Sequence, residues 1–242
     1  MLDQTRIEDI LFLDIETVPQ WEDFRQLDET SKAFWDKKSA YFRKEDQSPA
    51  DVYERAGIYA EFGKIVCISV GSVIVRGGVR LFRSKSFAGH DEQQLLAEFG
   101  RMIDKSFSSD HPRFTNLCGH NVKEFDIPYI CRRMLVNGVP IPTVLDVSGK
   151  KPWEVRFLDT LDLWKFGDYK NYTSMALLTH IFGIPTPKDD IDGSQVAKVY
   201  YGEGDLERIA IYCEKDVLAT AQLLLRFKGE PLIDPLNVER AV

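Results

Sequence analysis

Two carboxylates separated by one residue, Asp14 and Glu16, lie in an otherwise apolar segment near the start of the chain. Alternate side chains of an extended strand point to the same face, so these two would emerge together, with Cα atoms about 6.6 Å apart. Burial and mutual repulsion oppose ionisation of such a pair unless a cation is present. The pair therefore suggests a cation site, although a strand end that reaches solvent is the better explanation of this motif alone.

Two further acidic residues lie in later helical patterns. Asp126 opens a helix, with Asn121 and Phe125 at fixed offsets before it. The helix dipole favours an acid in the first turn, which accounts for Asp126 but not for Asn121 and Phe125. In the last helix, Tyr212 and Asp216 are four residues apart and share a helix face. A partly buried tyrosine and a solvated aspartate explain that second pair when it is taken alone.

The order of the three motifs is more informative than any single motif. D-x-E at 14–16, N-x-x-x-F-D at 121–126 and Y-x-x-x-D at 212–216 resemble the DEDD superfamily of 3′–5′ exonucleases, named for its four acidic residues. Tyrosine four residues before the last aspartate matches the tyrosine branch. The closest resemblance is to stand-alone predicted exonucleases related to the proofreading domain of family B DNA polymerases, and it is carried by four segments: 13–19, 61–71, 192–196 and 212–227.

This resemblance implies an α/β, ribonuclease H-like fold with a mixed central β-sheet flanked by helices, and two divalent cations, Mg²⁺ or Mn²⁺. The expected metal ligands are four carboxylates: Asp14, Glu16, Asp126 and Asp216. Hard oxygen ligands suit these metals, and two ions about 3.5–4 Å apart serve both ends of an in-line displacement, with Asp14 between them. Tyr212 has an ordinary pKa near 10 and is a poor general base. The resemblance implies instead that Tyr212 hydrogen-bonds and orients a metal-bound water.

Three residues beside the acidic motifs are expected to bind the substrate. Thr17 would contact the terminal nucleotide, and Asn121 would contact the nucleic-acid strand. Phe125 would either stack on a base or pack beneath its loop. Two neighbouring residues are open to two interpretations each. Asp159 would support the site or cap a helix, and His120 would contact substrate or be an ordinary loop histidine.

The leading hypothesis is a metal-dependent 3′–5′ exonuclease that shortens single-stranded DNA from its 3′ end and releases nucleoside 5′-monophosphates. A ribonuclease D-like 3′–5′ exoribonuclease is a second hypothesis, and a non-catalytic nucleic-acid-binding accessory protein is a third. No polymerase segment fits in the chain, so a proofreading role would require a polymerase or repair partner.

The elements that must position these residues follow from the apolar periodicity of the chain. Strands are expected at 10–15, 64–75, 79–84, 114–118 and 155–161. Helices are expected at about 91–105, 125–136, 172–183 and 204–228, with a polar loop at 186–193. We expect a single exonuclease domain over 1–242, with a helical insertion at about 20–60. Because the insertion interleaves basic and aromatic residues, it would form either a single-strand platform or, preferably, an amphipathic cover for the sheet.

The composition limits how the chain can bind nucleic acid. With 31 basic and 38 acidic residues the formal net charge is −7, which excludes binding through bulk positive charge. Two bound divalent ions would add +4 and bring the formal balance to −3. A hydrophobic content of 44% excludes global disorder. The four cysteines form no C-x-x-C pair, and no segment approaches the about 18 apolar residues of a membrane span, so a reducing, cytoplasmic location is expected.

Overall fold

A six-stranded mixed β-sheet runs through the protein, whose computed structural model describes residues 5–168, 170, 172–185 and 190–241. The strands are β1 Ile10–Pro19, β2 Gly63–Arg76, β3 Val79–Ala88, β4 Asn116–Gly119, β5 Leu158–Asp159 and β6 Val238–Arg240. They lie in the spatial order β5-β4-β1-β2-β3-β6. β1, β2 and β3 form an antiparallel meander, whereas β4 is parallel to β1, β5 to β4 and β6 to β3. This arrangement is the mixed sheet that the sequence predicted.

Helices cover both faces of the sheet. The α-helices of the described residues are α1 Glu29–Ser39, α2 Glu92–Ser106, α3 Asp126–Val136, α4 Thr160–Lys165, α5 Met175–Ile181, α6 Val196–Lys198 and α7 Leu206–Phe227. Alternation along β1 separates two cores. Leu13 belongs to a buried cluster with Leu96 of α2 and Ile130 of α3, whereas Phe12 belongs to a cluster with Val217 of α7. The face of β1 that carries even-numbered residues is therefore covered by α7.

Several predicted elements are confirmed together with their end signals. The carboxylate of Asp91 caps α2 by accepting a hydrogen bond from the Gln94 N–H. α3 ends at Val136 and is followed by Gly138 at φ +65°. The β2–β3 hairpin turns at Gly77 and Gly78, whose φ angles of +60° and +79° favour glycine.

The strand predicted at 155–161 is wrong over most of its length. Only Leu158–Asp159 pair with β4, because the Asp159 carboxylate accepts hydrogen bonds from the N–H groups of Leu161 and Asp162 and begins α4 there. An acid at the helix N-cap satisfies donors that have no partner inside the helix.

Other boundaries also differ from the sequence predictions. β1 continues beyond 15 to Pro19, because β2 pairs with it as far as Gly63. The helix predicted at 172–183 is the shorter α5, which begins after its cap Ser174. The edge strand β6 was not predicted, and the predicted loop 186–193 lies partly outside the described residues. No helix in the described part of the chain has the length and apolar character needed to cross a bilayer.

The segment 20–60 is helical, as expected, with α1 and two 3₁₀ stretches, Phe24–Gln26 and Ala50–Ile58. Its aromatic rings pack mainly against one another around Trp35, which is fully buried and donates its indole N–H to the Pro49 carbonyl at 2.8 Å. Trp35 contacts its neighbours edge to face, a favourable aromatic geometry. These buried rings stabilise the segment, whereas the rings of Trp21, Phe34 and Tyr41 are exposed. A single-strand platform on the segment stays a prediction.

Candidate active site

The two acids of β1 lie on the face that α7 covers. Asp14 is half-buried and Glu16 is buried, and their carboxylate oxygens lie within 4.8 Å of one another and of the Cys213 thiol. Just beyond them the pairing with β2 changes register, since Glu16 is opposite Cys67 whereas Thr17 is opposite Ile65. Such a β-bulge bends the strand and redirects its side chains, and bulges are common beside active sites.

Asp126 reaches the same region from the opposite face of the sheet. It is the first residue of α3, and its buried carboxyl accepts hydrogen bonds from its own N–H and from the Ile15 N–H. β4 pairs with β1 only as far as Phe12, so the edge of β1 beyond that point has no strand beside it. The open stretch of β1 beyond Phe12 thus lets the start of α3 approach, and the Ile15 N–H, between Asp14 and Glu16, donates to Asp126.

α7 supplies three side chains above β1. The Tyr212 hydroxyl and the Asp216 carboxyl are joined by a hydrogen bond, and both residues are buried. Asp216 is therefore not the solvated acid that its motif alone favoured. The Cys213 thiol, between them in sequence, donates to the main-chain oxygen and to Oδ2 of Asp14 at 3.5 Å.

The acids strongly perturb one another. Burial, followed by the nearby charges of Asp126, Asp216 and Glu16, raises the pKa of Asp14 well above its usual range. Burial is also the main cause that raises the pKa of Asp126 to about 7, with Asp159 and Asp216 contributing. Ionising these neighbouring buried carboxyls therefore costs free energy through desolvation and mutual repulsion, and a bound divalent cation would offset that cost.

The same surroundings act on Tyr212. Burial, then Asp216, Glu16 and Asp14, raise the pKa of the Tyr212 hydroxyl above its usual value of 10. The hydroxyl therefore stays protonated at neutral pH and can donate a hydrogen bond.

The donor set fits hard divalent cations. Asp14, Glu16, Asp126 and Asp216 offer carboxylate oxygens around one part of the sheet, and such oxygens are what Mg²⁺ and Mn²⁺ prefer. Within the described residues the tightest group is Asp14, Glu16 and Cys213. Asp126 and Asp216 lie outside it but close enough to raise the pKa of Asp14.

A cleft of about 570 Å³ opens beside the acids. Thr17 and Phe125, both predicted to bind substrate, line it together with Glu16. The Thr17 hydroxyl hydrogen-bonds with Tyr129, and the half-buried Phe125 ring packs against the Tyr129 ring at 5.5 Å between centroids. Phe125 packs beneath its loop, as one predicted alternative has it, and also lines the cleft. Stacking on a base stays a prediction.

Asn121 has a different place. It is in the left-handed conformation, at φ +66°, which asparagine tolerates better than most residues. Its N–H donates to Asp159 at 2.9 Å, and its carbonyl accepts from the N–H groups of Glu124 and Phe125. Asn121 is not among the described residues that line the cleft. Its backbone shapes the turn that delivers Asp126.

Asp159 and His120 support this turn. Besides capping α4, Asp159 accepts from the Asn121 and Lys123 N–H groups, so it both caps a helix and supports the site. His120 lies beneath the loop with its Nδ1 2.9 Å from the Thr160 hydroxyl, and burial lowers its pKa to about 4. His120 is therefore neutral and packed within the protein.

Two residues near the site were not singled out by their sequence context. Cys213 belongs to no cysteine motif, yet it lies in a buried cluster with Val18 of β1 and its thiol reaches Asp14. Arg55 lies on the 3₁₀ segment of the insertion and lines the same cleft as Phe125. No motif marks Arg55, because it is one of several basic residues in a charged segment.

Comparison with known proteins identifies the family of this chain. A family model described as "Predicted 3'-5' exonuclease related to the exonuclease domain of PolB" matches residues 58–231, most of the chain. The chain belongs to this family of predicted 3′–5′ exonucleases. The matched region contains Asp126, Tyr212 and Asp216 but begins after Asp14 and Glu16. The resemblance to predicted exonucleases related to the family B polymerase domain is thereby confirmed.

A solved structure agrees with the fold of this exonuclease family member. The family B DNA polymerase from the hyperthermophilic archaeon Pyrobaculum calidifontis is similar over 90% of this chain, with a TM-score of 0.55 and 16% identity. The similar region spans 24% of the polymerase. At this identity the likeness concerns the fold, and it confirms the predicted α/β, ribonuclease H-like class. No curated protein matched the chain.

Proposed function

We propose that the protein is a divalent-metal-dependent 3′–5′ exonuclease that hydrolyses single-stranded DNA from its 3′ end and releases nucleoside 5′-monophosphates. The observation that carries this proposal is the meeting of buried carboxyls from β1, α3 and α7 beside an open cleft. Membership of a predicted exonuclease family supports the same reaction. We further propose that residues 1–242 form a single exonuclease domain in which 20–60 is an insertion.

The proposed metal ligands are the four acids: Asp14, Glu16, Asp126 and Asp216. Two divalent cations, Mg²⁺ or Mn²⁺, would supply charge neutralisation at the phosphodiester and an acidified water. The Ile15 N–H holds the Asp126 carboxyl towards this site, and the Cys213 thiol does the same for Asp14. Both contacts fix acids that would otherwise repel one another.

Tyr212 and the cleft residues would orient the reactants. The protonated Tyr212 hydroxyl, held by Asp216, would position the attacking water rather than accept its proton. Thr17 would contact the terminal nucleotide, and the exposed side of the Phe125 ring would stack on its base. Asn121 would contact the strand through its side-chain amide, with its backbone fixed by Asp159.

A nuclease assay tests this function. A 5′-labelled single-stranded DNA incubated with Mg²⁺ or Mn²⁺ should shorten stepwise from its 3′ end. Asp14→Ala should slow the reaction by more than about 100-fold, beyond the losses typical of residues that only support metal ligands. Asp110→Asn, at an exposed loop position, is the matched control and should keep full activity. Absence of shortening, or undiminished shortening by Asp14→Ala, would contradict the proposal.

Two further arms separate the alternatives. An RNA of the same sequence competes with the DNA in one reaction, and faster loss of the RNA would replace the proposed substrate with RNA. Calorimetric titration with Mn²⁺ measures metal binding directly. A protein that binds no divalent ion and cleaves neither strand would be the non-catalytic accessory protein.

A further inference from the structure

The 3₁₀ segment Ala50–Ile58 is fixed against β1 beside the acids. A Cβ atom on Gly57 would lie 3.0 Å from the carbonyl carbon of Val18 and 3.1 Å from the nitrogen of Pro19, so a side chain here would force the backbone of β1 to shift by a few tenths of an ångström. The Gly57 carbonyl also accepts a 2.8 Å hydrogen bond from the Tyr129 hydroxyl of α3. The insertion is thus attached to the two elements, β1 and α3, that carry three of the four acids.

Arg55 projects from this segment into the cleft that Glu16, Thr17 and Phe125 also line. Its guanidinium carbon lies 4.2 Å from the centroid of the Phe42 ring. Stacking on an aromatic face restricts the long side chain while leaving the N–H groups at the guanidinium edge available to a ligand.

The charge of Arg55 has no carboxylate partner among the described residues. Nearby arginines of the insertion differ, since Arg25 pairs with Asp23 and Arg43 pairs with Asp36. Arg55 is also the only basic side chain lining the described part of the cleft, whose acids are Glu16 and Glu54. A positive charge stacked on an aromatic ring in an otherwise acidic cleft is suited to an anion.

The position of Arg55 indicates which anion. The reacting phosphodiester must lie at the acids, whereas Arg55 lies on the separate 3₁₀ segment Ala50–Ile58, so a phosphate bound by Arg55 belongs to a neighbouring linkage of the same strand. A guanidinium donates two parallel hydrogen bonds to phosphate oxygens. We propose that Arg55 binds a non-reacting backbone phosphate of the single strand, so that the insertion forms one wall of the nucleic-acid groove. This proposal rests on the proposed function for its substrate.

Binding by an inactive protein tests this contact without catalysis. In an Asp14→Asn background with EDTA, fluorescence anisotropy measures the affinity for a labelled single-stranded DNA at several salt concentrations. Arg55→Gln should weaken binding and lower the slope of log K against log salt by about 0.7, the value for one phosphate contact on a single strand. Arg55→Lys should restore the slope but not the full affinity, because it keeps the charge and loses the fork.

Arg25→Gln is the matched control, because it removes an arginine of the same insertion that is already paired with Asp23. It should leave the affinity and the slope unchanged. A neutral methylphosphonate placed in turn at each linkage near the 3′ end should weaken binding of the parent at one position. Arg55→Gln should be insensitive at that position.

Comparing hydrolysis of a mononucleotide ester with that of an oligonucleotide distinguishes a substrate-binding role of Arg55 from a role in the chemical step. The p-nitrophenyl ester of thymidine 5′-monophosphate has one phosphodiester and no neighbouring linkage. Arg55→Gln should hydrolyse it at the parental rate, while the KM for the oligonucleotide should rise by about 10-fold, the size of one contact to a charged group.

Three outcomes would overturn the proposal: an unchanged salt slope in Arg55→Gln, an equal loss on both substrates, or the same loss in Arg25→Gln. If the parent protein hydrolyses neither substrate, the proposed function fails, whereas the binding measurement still decides the role of Arg55.

Discussion

Asp126→Asn should stabilise the metal-free protein at alkaline pH and remove most of its response to divalent cations. The Asp126 carboxyl is buried at the start of α3, where it accepts hydrogen bonds from its own N–H and from Ile15 N–H. Burial, and then the charges of Asp159 and Asp216, raise its pKa to about 7. Asparagine has nearly the same shape and keeps one oxygen acceptor, but it carries no charge.

The magnitude follows from the pKa. A tenfold change in an acid dissociation constant corresponds to about 1.4 kcal/mol, so raising the Asp126 pKa from 3.8 to about 7 costs the ionised native state about 4 kcal/mol. The variant avoids this cost but loses one hydrogen bond to a charged acceptor, worth about 1.5–3 kcal/mol. The expected net gain is about 1–3 kcal/mol. For a chain of this size that gain raises Tm by about 2–10 °C.

The sign of the pH dependence is set by the native state, which binds the Asp126 proton more tightly than the unfolded chain does. The contribution of Asp126 to stability is therefore fully present below about pH 4 and is lost as the pH rises through about 7. The higher Tm of the variant should thus appear at pH 8 and vanish near pH 4.

Thermal unfolding followed by circular dichroism, in EDTA and then in Mn²⁺, measures both effects. Mn²⁺ should raise the Tm of the parent, because a ligand that binds only the native state stabilises it, and should raise the Tm of the variant much less. The exposed Asp110→Asn should behave like the parent throughout. A variant that unfolds below the parent at pH 8 in EDTA would refute the reasoning.

Three further predictions concern other parts of the molecule. Tyr212→Phe should lower kcat about 100-fold, as expected for a mispositioned reactant, without moving the pH–rate profile; a moved profile would show that the hydroxyl titrates. Gly57→Ala should lower the free energy of unfolding in urea by about 1–3 kcal/mol, whereas Gly202→Ala, with open space around its Cβ, should leave it unchanged or raise it; equal losses would contradict the close approach to β1. Glu92→Gln removes the charge that pairs with the buried Arg133 and should lower the free energy of unfolding in urea by about 3–5 kcal/mol. A decrease below about 1 kcal/mol would refute this prediction.

Local sequence signals predicted the elements of this fold better than their ends. The apolar run of β1 stops at Ile15, so periodicity ends the strand there, but pairing with the distant β2 extends it to Pro19. Such pairing depends on residues some fifty positions away and leaves no local signal. At Asp159 two local signals compete, since an apolar run predicts a strand while an acid before Thr160 predicts a helix start, and the cap prevails.

The residues of the candidate site that belong to sequence motifs could be predicted. Those whose role depends on which charged side chains form ion pairs in the folded protein could not. Three short motifs predicted the acids, because an acid in an apolar context is already unusual in the sequence. Arg55 carries no such mark, as Arg25 and Arg43 lie in the same charged segment. Only the folded structure pairs those two with Asp23 and Asp36 and places Arg55 over Phe42.

The net negative charge of the protein affects how both the acids and Arg55 contribute to DNA binding. The protein carries a net charge of −7, so its metal-free carboxylates repel an approaching nucleic-acid strand. Once cations are bound, the same carboxylates hold the ions that attract the strand. Metal and nucleic acid should therefore increase each other's affinity by the same factor, since coupling between two binding sites is reciprocal. The contact proposed for Arg55 does not involve the metal, so Arg55→Gln should weaken DNA binding in EDTA and in Mn²⁺ by the same factor while leaving the coupling intact.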